Sequence, residues 1–244
     1  MLSQTAHDSG VPSTTIWLSA LEVELAPLRA LMGQPEAAQV AGLACWRGRL
    51  RGRELVAAVC GAGGDACRTA LEALLADLPG PTVLVVGTAG ALDPGLAVGD
   101  VVVANRPIAW PGDPAGPSSP QPVLGATASL SALGQTPRGP PGQAVRVVPG
   151  CVLTWDSIVY EPTLKAKLRE VYGADCVDME TGHAAQVCAA GGVPFLAVRG
   201  ISDSADAGIE DLCAHDLAIA AWRATLVAVE SLGRPSSQNR HAPP

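Results

Sequence analysis

Short apolar runs alternate with longer segments of helical spacing along this chain. The runs at 15–20, 82–86 and 193–201 predict buried strands, because strands that are covered on both faces are apolar throughout. The segments 43–50 and 53–60 flank Arg51-Gly52 and predict a hairpin. Further strands are predicted at 99–103 and 145–154, and helices at 21–31, 65–78, 162–172, 180–190 and 210–232.

Glycine-rich and proline-rich segments separate these elements. Both 61–64 and 87–92 follow apolar runs and predict tight turns. Segment 111–145 is crowded with Pro, Gly and Ser; it predicts an insertion that is either mobile or covers the substrate, with a short helix at 123–133. The alternation of strands and helices predicts one α/β domain over residues 14–233, between flexible tails at 1–13 and 234–244.

Composition narrows the class of protein. A chain of 244 residues that is 48% hydrophobic can build one large core, and a net charge of -7 argues against a nucleic-acid partner. Seven cysteines without a CxxC motif predict reduced thiols. No segment has the pattern of a signal peptide or a membrane span, so we expect a cytoplasmic protein that does not contact a membrane.

Cofactor and metal motifs are missing from the pattern. The turn at 61–64 has neither the GxGxxG spacing nor the Lys-Ser/Thr of a phosphate loop, so we expect no cofactor. The four histidines lack metal-ligand spacing, and we expect no metal. His183 lies one helical turn from Glu180; we interpret it as a neighbour on the helix face rather than a supporting contact of the site.

Three acidic residues are candidates for chemistry. Glu180 begins an apolar helix, where it is either a partner of the helix dipole or a buried carboxylate that grips a sugar diol. Asp203 follows an apolar strand, where it is either a turn residue or part of a ligand crevice. Glu24 competes with Glu22 after the first strand. Together they suit the cleavage of a glycosidic bond, which develops positive charge on a sugar and requires a proton for the leaving group.

Five segments in this order resemble the nucleoside phosphorylase and nucleosidase superfamily, and are most similar to the 5'-methylthioadenosine/S-adenosylhomocysteine nucleosidases. They span residues 15 to about 232. The segments are Ser19-Ala20-Leu21-Glu22-Val23-Glu24, Gly87-Thr88-Ala89-Gly90-Ala91-Leu92, Gly99-Asp100-Val101-Val102-Val103, Val177-Asp178-Met179-Glu180, and Val193-Pro194-Phe195 leading into Arg199-Gly200-Ile201-Ser202-Asp203.

The resemblance implies a fold and an assembly. It implies a single-domain, three-layer α/β/α architecture with a central mixed, partly closed sheet, often assembled as a homodimer. It implies a small nucleoside as the ligand and requires neither a metal nor a redox cofactor.

The resemblance also implies roles for individual residues. Asp203, oriented by Ser202, is similar to the acid that protonates N7 of a purine, and Glu24 to the residue that polarises the attacking water. Substrate-binding roles are implied for the other matching positions. Met179 packs against ribose and base, Glu180 grips the ribose hydroxyls, Thr88 and Arg199 line the water and ribose site, and Ile158 stands where a base-stacking Phe is usual.

These features predict a purine nucleoside N-glycosidase that hydrolyses a 5'-substituted adenosine and releases adenine. Phosphorolysis is less favoured, because the phosphate-binding Gly-Asp-Pro-x-Arg pattern is replaced by Ala20-Leu21-Glu22-Val23-Glu24. The substitutions Ala91, Ile158 and Asp178 keep alternatives open: a phosphorylase, a futalosine hydrolase, an adenosyl-hopane-type enzyme of the same superfamily, or a non-catalytic nucleoside-binding protein.

Overall fold

A mixed β-sheet lies at the centre of the molecule and helices pack on its faces. The computed structural model describes residues 14–110, 121–122, 145–206 and 214–232. Its strands are β1 (Thr15–Ser19), β2 (Gly33–Val40), β3 (Leu43–Leu50), β4 (Arg53–Val59), β5 (Thr82–Ala91), β6 (Val101–Ala109), β7 (Gln121–Pro122), β8 (Val147–Thr154), β9 (Cys176–Asp178) and β10 (Phe195–Asp203). Its helices are α1 (Glu22–Leu31), α2 (Gly64–Asp77), α3 (Pro162–Tyr172), α4 (Thr181–Gly191) and α5 (Ala214–Ser231).

The sheet closes on itself at one end and stays open at the other. Strands β5, β10, β6, β8 and β9 form a ring, because β5 pairs with β10 along one edge and with β9 on the other. The open arm continues from β5 through β1, β4, β3 and β2. β5 joins both parts because its first half pairs with β1 and its last residues pair with β9. The predicted mixed, partly closed sheet is confirmed.

Two layers of helices cover the sheet. α2 and α4 pack on one face through small and aliphatic side chains such as Cys67, Leu71 and Ala184. α1 and α5 pack on the other face, where Leu25, Leu28 and Val227 meet apolar residues of the central strands. α3 contributes Leu168 to a third apolar cluster beside β8. The strands of the ring are covered on both sides, which explains their nearly continuous apolar runs.

Several predicted elements differ from the structure. Residues Gly87–Ala91 do not form a tight turn: they belong to β5, because they pair with β10 and β9 and so extend the strand. The short strand β9 and the edge strand β2 were not predicted, since three residues or a polar alternation carry little hydrophobic signal. The tails, the short helix at 123–133 and residues 210–213 of the last helix lie outside the described residues, as does most of the insertion at 111–145. The domain boundaries remain a prediction.

Candidate active site

A cavity of about 240 Å³ opens where β1, β5, β9 and β10 end. Ligand crevices of open α/β sheets lie at the same kind of edge. Seven of the eight predicted site residues line this cavity: Glu24, Thr88, Ile158, Met179, Glu180, Ser202 and Asp203. The three candidate carboxylates, which are far apart in the sequence, therefore share one cavity.

Glu24 is turned inward by the start of its own helix. It occupies the third position of α1, and its Oε2 accepts hydrogen bonds from the N–H groups of Ala20 and Leu21, both at 3.0 Å. Its Oε1 accepts from the N–H of Thr88 at 2.7 Å and from Oγ1 of Thr88 at 2.8 Å. The competing residue Glu22 is exposed and lies 3.6 Å from Arg29, which leaves Glu24 as the carboxylate of the cavity.

These four donors occupy all the lone-pair positions of the Glu24 carboxylate. Three of them are backbone amides, two in the connection between β1 and α1 and one on β5. The hydroxyl of Thr88 is the one donor of the four that can rotate away. A water molecule that binds to Glu24 can take the place of this hydroxyl.

Glu180 is held between an amide and a guanidinium. It is 5% exposed, its Oε1 accepts a hydrogen bond from the N–H of Gly63 at 2.9 Å, and its Oε2 lies 3.6 Å from Nη2 of Arg199. Burial raises the pKa of Glu180 to about 7, although Arg199 and the Gly63 amide act in the opposite direction. The carboxylate is thus divided between its two protonation states near neutral pH.

Arg199 lies behind the wall of the cavity and not on it. Its side chain is fully buried, Nη2 is 2.7 Å from Oδ2 of Asp178, and Nε donates to Oγ1 of Thr181 at 2.9 Å. Burial alone would lower the pKa of Arg199, but Asp178 and Glu180 raise it. The residue predicted to line the sugar site therefore reaches the site through Glu180.

Asp178 is a residue whose part in the site the sequence analysis missed. It is 6% exposed and accepts hydrogen bonds from the hydroxyls of Thr154 and Thr181 and from the N–H of Thr181. Together with Arg199 it forms a buried ion pair, which needs such additional hydrogen bonds to offset its desolvation. The sequence signal for this role was a pair of threonines, Thr154 at the end of β8 and Thr181 at the start of α4.

Asp203 ends β10 and lines the cavity. Its Oδ2 accepts from Oγ of Ser202 at 2.7 Å, and its Oδ1 accepts from the N–H of Ala205 at 2.8 Å. Ser202 also lies 3.4 Å from the carbonyl of Ala89 on β5. This arrangement orients the carboxyl group, as expected for a group that transfers a proton at one defined atom.

Apolar side chains complete the cavity. Met179 is half-buried between Asp178 and Glu180, and Ile158 is 57% exposed at the mouth. Leu21, which is 40% exposed, and Leu217 also line it. The cavity thus combines carboxylates at its base with an apolar rim, which suits a ligand with one polar and one apolar end.

The sequence model of the phosphorylase superfamily matches residues 14–230. The chain belongs to this superfamily. It is 30% identical over 226 residues to the 5'-methylthioadenosine/S-adenosylhomocysteine nucleosidase of Mycobacterium bovis, which covers 79% of the chain and 87% of the relative. It is 28% identical to the nucleosidase of the same description from Tolumonas auensis, over 88% of the chain and 96% of the relative.

Solved structures of superfamily members have the same fold. The 5'-methylthioadenosine/S-adenosylhomocysteine nucleosidase of Neisseria meningitidis, in complex with methylthio-immucillin-A, is 26% identical with a TM-score of 0.77, over 90% of this chain and 98% of that one. The futalosine hydrolase of Helicobacter pylori is 25% identical with a TM-score of 0.77, over 90% and 97% of the two chains. The nucleosidase of Colwellia psychrerythraea, with a TM-score of 0.80, is 24% identical, covers 92% and 96% of the chains, and supports the fold alone.

Within the residues that the structure describes, no group of three or more His, Cys, Asp or Glu side chains is arranged to hold a metal ion. None of the described helices combines the length and the apolar composition that a bilayer crossing requires.

Proposed function

We propose that the chain hydrolyses the N-glycosidic bond of a 5'-substituted adenosine and releases adenine and the 5'-modified ribose. One observation carries the proposal: Glu24, Glu180 and Asp203 face a single cavity from three different elements. The coarser assignment, an enzyme that hydrolyses N-glycosidic bonds, follows from the superfamily and from relatives that are named nucleosidases.

In the proposed reaction each carboxyl group has a separate task. Asp203 donates a proton to N7 of the purine, so that the base leaves as a neutral molecule. Glu24 takes a proton from the water molecule that attacks the anomeric carbon. One proton is given and one is received, so the net reaction consumes a nucleoside and a water molecule and regenerates the enzyme after proton exchange with solvent.

Glu180 acts on the sugar in this scheme. An ionised carboxylate accepts hydrogen bonds from the ribose hydroxyls and stabilises the positive charge that develops on the ring. Met179, next to it in the sequence, supplies an apolar surface for ribose and base. Arg199 keeps the carboxylate of Glu180 oriented from behind the wall.

The contacts of Glu24 favour water over phosphate as the nucleophile. A carboxylate at the base of the cavity repels an anion, whereas it attracts the hydrogen atoms of water. The guanidinium of Arg199 is fully buried, lies 2.7 Å from Asp178 and does not line the cavity. Hydrolysis is therefore the reaction that these charges support.

The apolar rim favours a second candidate for the 5' substituent. Leu21 and Ile158 are partly exposed at the mouth of the cavity, where they could contact a substituent larger than methylthio. An adenosine that is linked to a lipid, as in the adenosyl-hopane type, would bury these side chains.

An assay of base release tests the proposal. Purified protein is incubated with methylthioadenosine, S-adenosylhomocysteine, futalosine and an alkylated adenosine, with and without phosphate. We expect adenine from one or more of the adenosine substrates without added phosphate. Release that requires phosphate would refute hydrolysis, and binding without any turnover would support a nucleoside-binding protein instead.

A further inference from the structure

A cluster of three polar side chains lies near Glu180, outside the lining of the cavity. It consists of Arg68 on α2, Asp156 in the connection after β8, and His183 on α4. His183 is 8% exposed. None of the three has a task in the proposed reaction, yet all three meet at the turn that precedes α2.

The ring of His183 supports this turn by direct contact. A Cβ atom added at Gly64 would lie 2.4 Å from Cδ2 and Nε2 of His183, closer than van der Waals contact permits. The backbone of the first residue of α2 therefore rests on the imidazole ring. His183 contacts α2 at Gly64 and Arg68, whereas the sequence analysis interpreted it as a neighbour of Glu180 on the helix face rather than a supporting contact.

Arg68 determines which nitrogen of His183 carries hydrogen. Nη2 of Arg68 lies 3.1 Å from Nδ1 of His183, and a guanidinium can only donate, so Nδ1 accepts. The hydrogen of the neutral ring is then on Nε2. Nε2 lies 3.5 Å from Oδ2 of Asp156, a distance at which the attraction is electrostatic rather than a full hydrogen bond.

Asp156 connects this chain of contacts to the site. Its Oδ1 accepts a hydrogen bond from the N–H of Gly64 at 2.7 Å. The preceding amide, that of Gly63, donates to Oε1 of Glu180 at 2.9 Å. Two successive amides of one turn are thus shared between Asp156 and Glu180. Asp156 is also followed in the chain by Ser157 and Ile158, which line the cavity.

We propose that His183 is a positioning residue for the sugar and base sites. Held by Arg68, it supports the Gly63-Gly64 turn and attracts Asp156, so that the Gly63 amide stays directed at Glu180 and the segment 155–158 stays closed against the cavity. The kinetic part of this proposal rests on the proposed function; the structural part does not. His183 acts on substrate binding, because the proton donor Asp203 and the water site at Glu24 lie on other elements.

Hydrogen exchange measured by mass spectrometry tests the structural part without any substrate. In His183→Ala and in Asp156→Ala we expect the peptides that contain 63–64 and 155–158 to exchange about fivefold faster or more. Asp156→Ala removes the acceptor of the Gly64 amide, and His183→Ala removes the ring on which the turn rests. A peptide from 82–86 in β5 should exchange as in the wild type. The exposed residue Glu72 on α2 provides the control variant Glu72→Ala, which should change none of these peptides.

Steady-state kinetics, measured with the substrate that the base-release assay identifies, test the functional part. We expect His183→Ala and Asp156→Ala to raise KM about tenfold while kcat stays within about threefold, and the double variant to resemble either single variant, since the two residues act through one contact. His183→Gln, which keeps a donor and an acceptor, should recover part of the loss. Asp156→Ala changes a half-exposed side chain, so it remains informative if His183→Ala folds poorly.

Three outcomes would overturn the proposal. The first is unchanged exchange at 63–64 and 155–158 in both variants. The second is a lower kcat at unchanged KM, which a smaller folded fraction produces. The third is a double variant whose increase in KM is the product of the two single increases. A wild-type protein without base release would refute the proposed function and leave the exchange experiment as the decisive test.

Discussion

Three carboxyl groups of one cavity differ in what surrounds each of them. Glu24 accepts from four donors, three of them backbone amides. Glu180 faces a buried guanidinium and one amide. Asp203 is oriented by a neighbouring hydroxyl and one amide. Residues of the same type can therefore serve as acid, base and sugar ligand, because the surroundings and not the residue type determine the task.

The role of Asp203 is tested by Asp203→Asn. The amide keeps the shape of the side chain but cannot transfer a proton, so we expect kcat to fall by about 10²- to 10⁴-fold with substrate binding retained. Base release and ligand binding are measured on the same preparation. The control is Asp206→Asn, since Asp206 does not line the cavity and pairs with Lys165 at 3.6 Å. Wild-type turnover by Asp203→Asn would remove it as the proton donor.

The raised pKa of Glu180 predicts how activity depends on pH. The ionised form is the one that accepts hydrogen bonds from ribose, and burial brings its pKa to about 7. We therefore expect kcat/KM to rise with pH through this value in the wild type. In Glu180→Gln, kcat/KM should be lower than in the wild type and should not rise with pH in this range. A rise of the same size in the variant would assign it to another group.

The same shift predicts an opposite effect of pH on stability. The folded state binds the proton of Glu180 more tightly than the unfolded chain, whose carboxyl titrates near 4.5. The free energy of unfolding should therefore fall as pH rises from about 4.5 through 7. Denaturation of the wild type and of Glu180→Gln across this range measures the difference. A difference that stays constant with pH would contradict the assigned shift.

At the scale of elements, β5 brings the site together. Its first half lies beside β1 and its last residues beside β9, so it passes both Glu24 and the start of α4. At Gly87 it has no room for a side chain, because an added Cβ would lie 2.4 Å from Nη1 of Arg199 and 2.7 Å from Oε1 of Glu24. The strand therefore runs directly against both charged groups.

Gly87→Ala tests this close approach. We expect a loss of about 1–3 kcal/mol in the free energy of unfolding and reduced turnover, because overpacking displaces Arg199 and Glu24 together. Gly33→Ala is the matched control, since its Cβ would meet nothing closer than 3.8 Å. Thermal denaturation and base release measure the two effects. Equal free energies of unfolding for the two variants would mean that Arg199 and Glu24 move aside without loss of stability.

At the scale of the whole molecule, large apolar side chains remain exposed on the single chain. Ile158 is 57% exposed and Tyr160 is 55% exposed, two residues apart beside the cavity. Exposed apolar groups near one another often mark a surface that a partner covers. The resemblance described above implies a homodimer, and we propose that the chain forms one.

Sedimentation or light scattering tests this assembly. We expect a mass of about twice the 24.7 kDa of the chain at micromolar concentration, because association removes apolar surface from water. Tyr160→Glu introduces a charge on the exposed apolar surface and tests whether that surface takes part. A monomer at all accessible concentrations would refute the proposal.

The local pattern predicted most elements because their signals are short-range. The hairpin around Arg51-Gly52 and the helix Pro162–Tyr172 follow from turn residues and helical spacing. The prediction of a turn at Gly87 was wrong, because its glycines leave room for the side chains of Arg199, Glu24 and Asp203 and the chain does not change direction there. The hydrophobic pattern left Glu24 in competition with Glu22 and the resemblance favoured Glu24; the fold buries Glu24 and exposes Glu22.

The sequence by itself determined the α/β class and the candidate carboxylates, since hydrophobic spacing and residue order are written along the chain. The tertiary structure decided which of them share a cavity, that Arg199 acts from behind Glu180, and that Asp178, Asp156 and His183 support the site. The physical reason is distance. Contacts such as Gly63 with Glu180 join residues more than a hundred positions apart, and only the packing of α2 and α4 on one sheet brings them within hydrogen-bonding range.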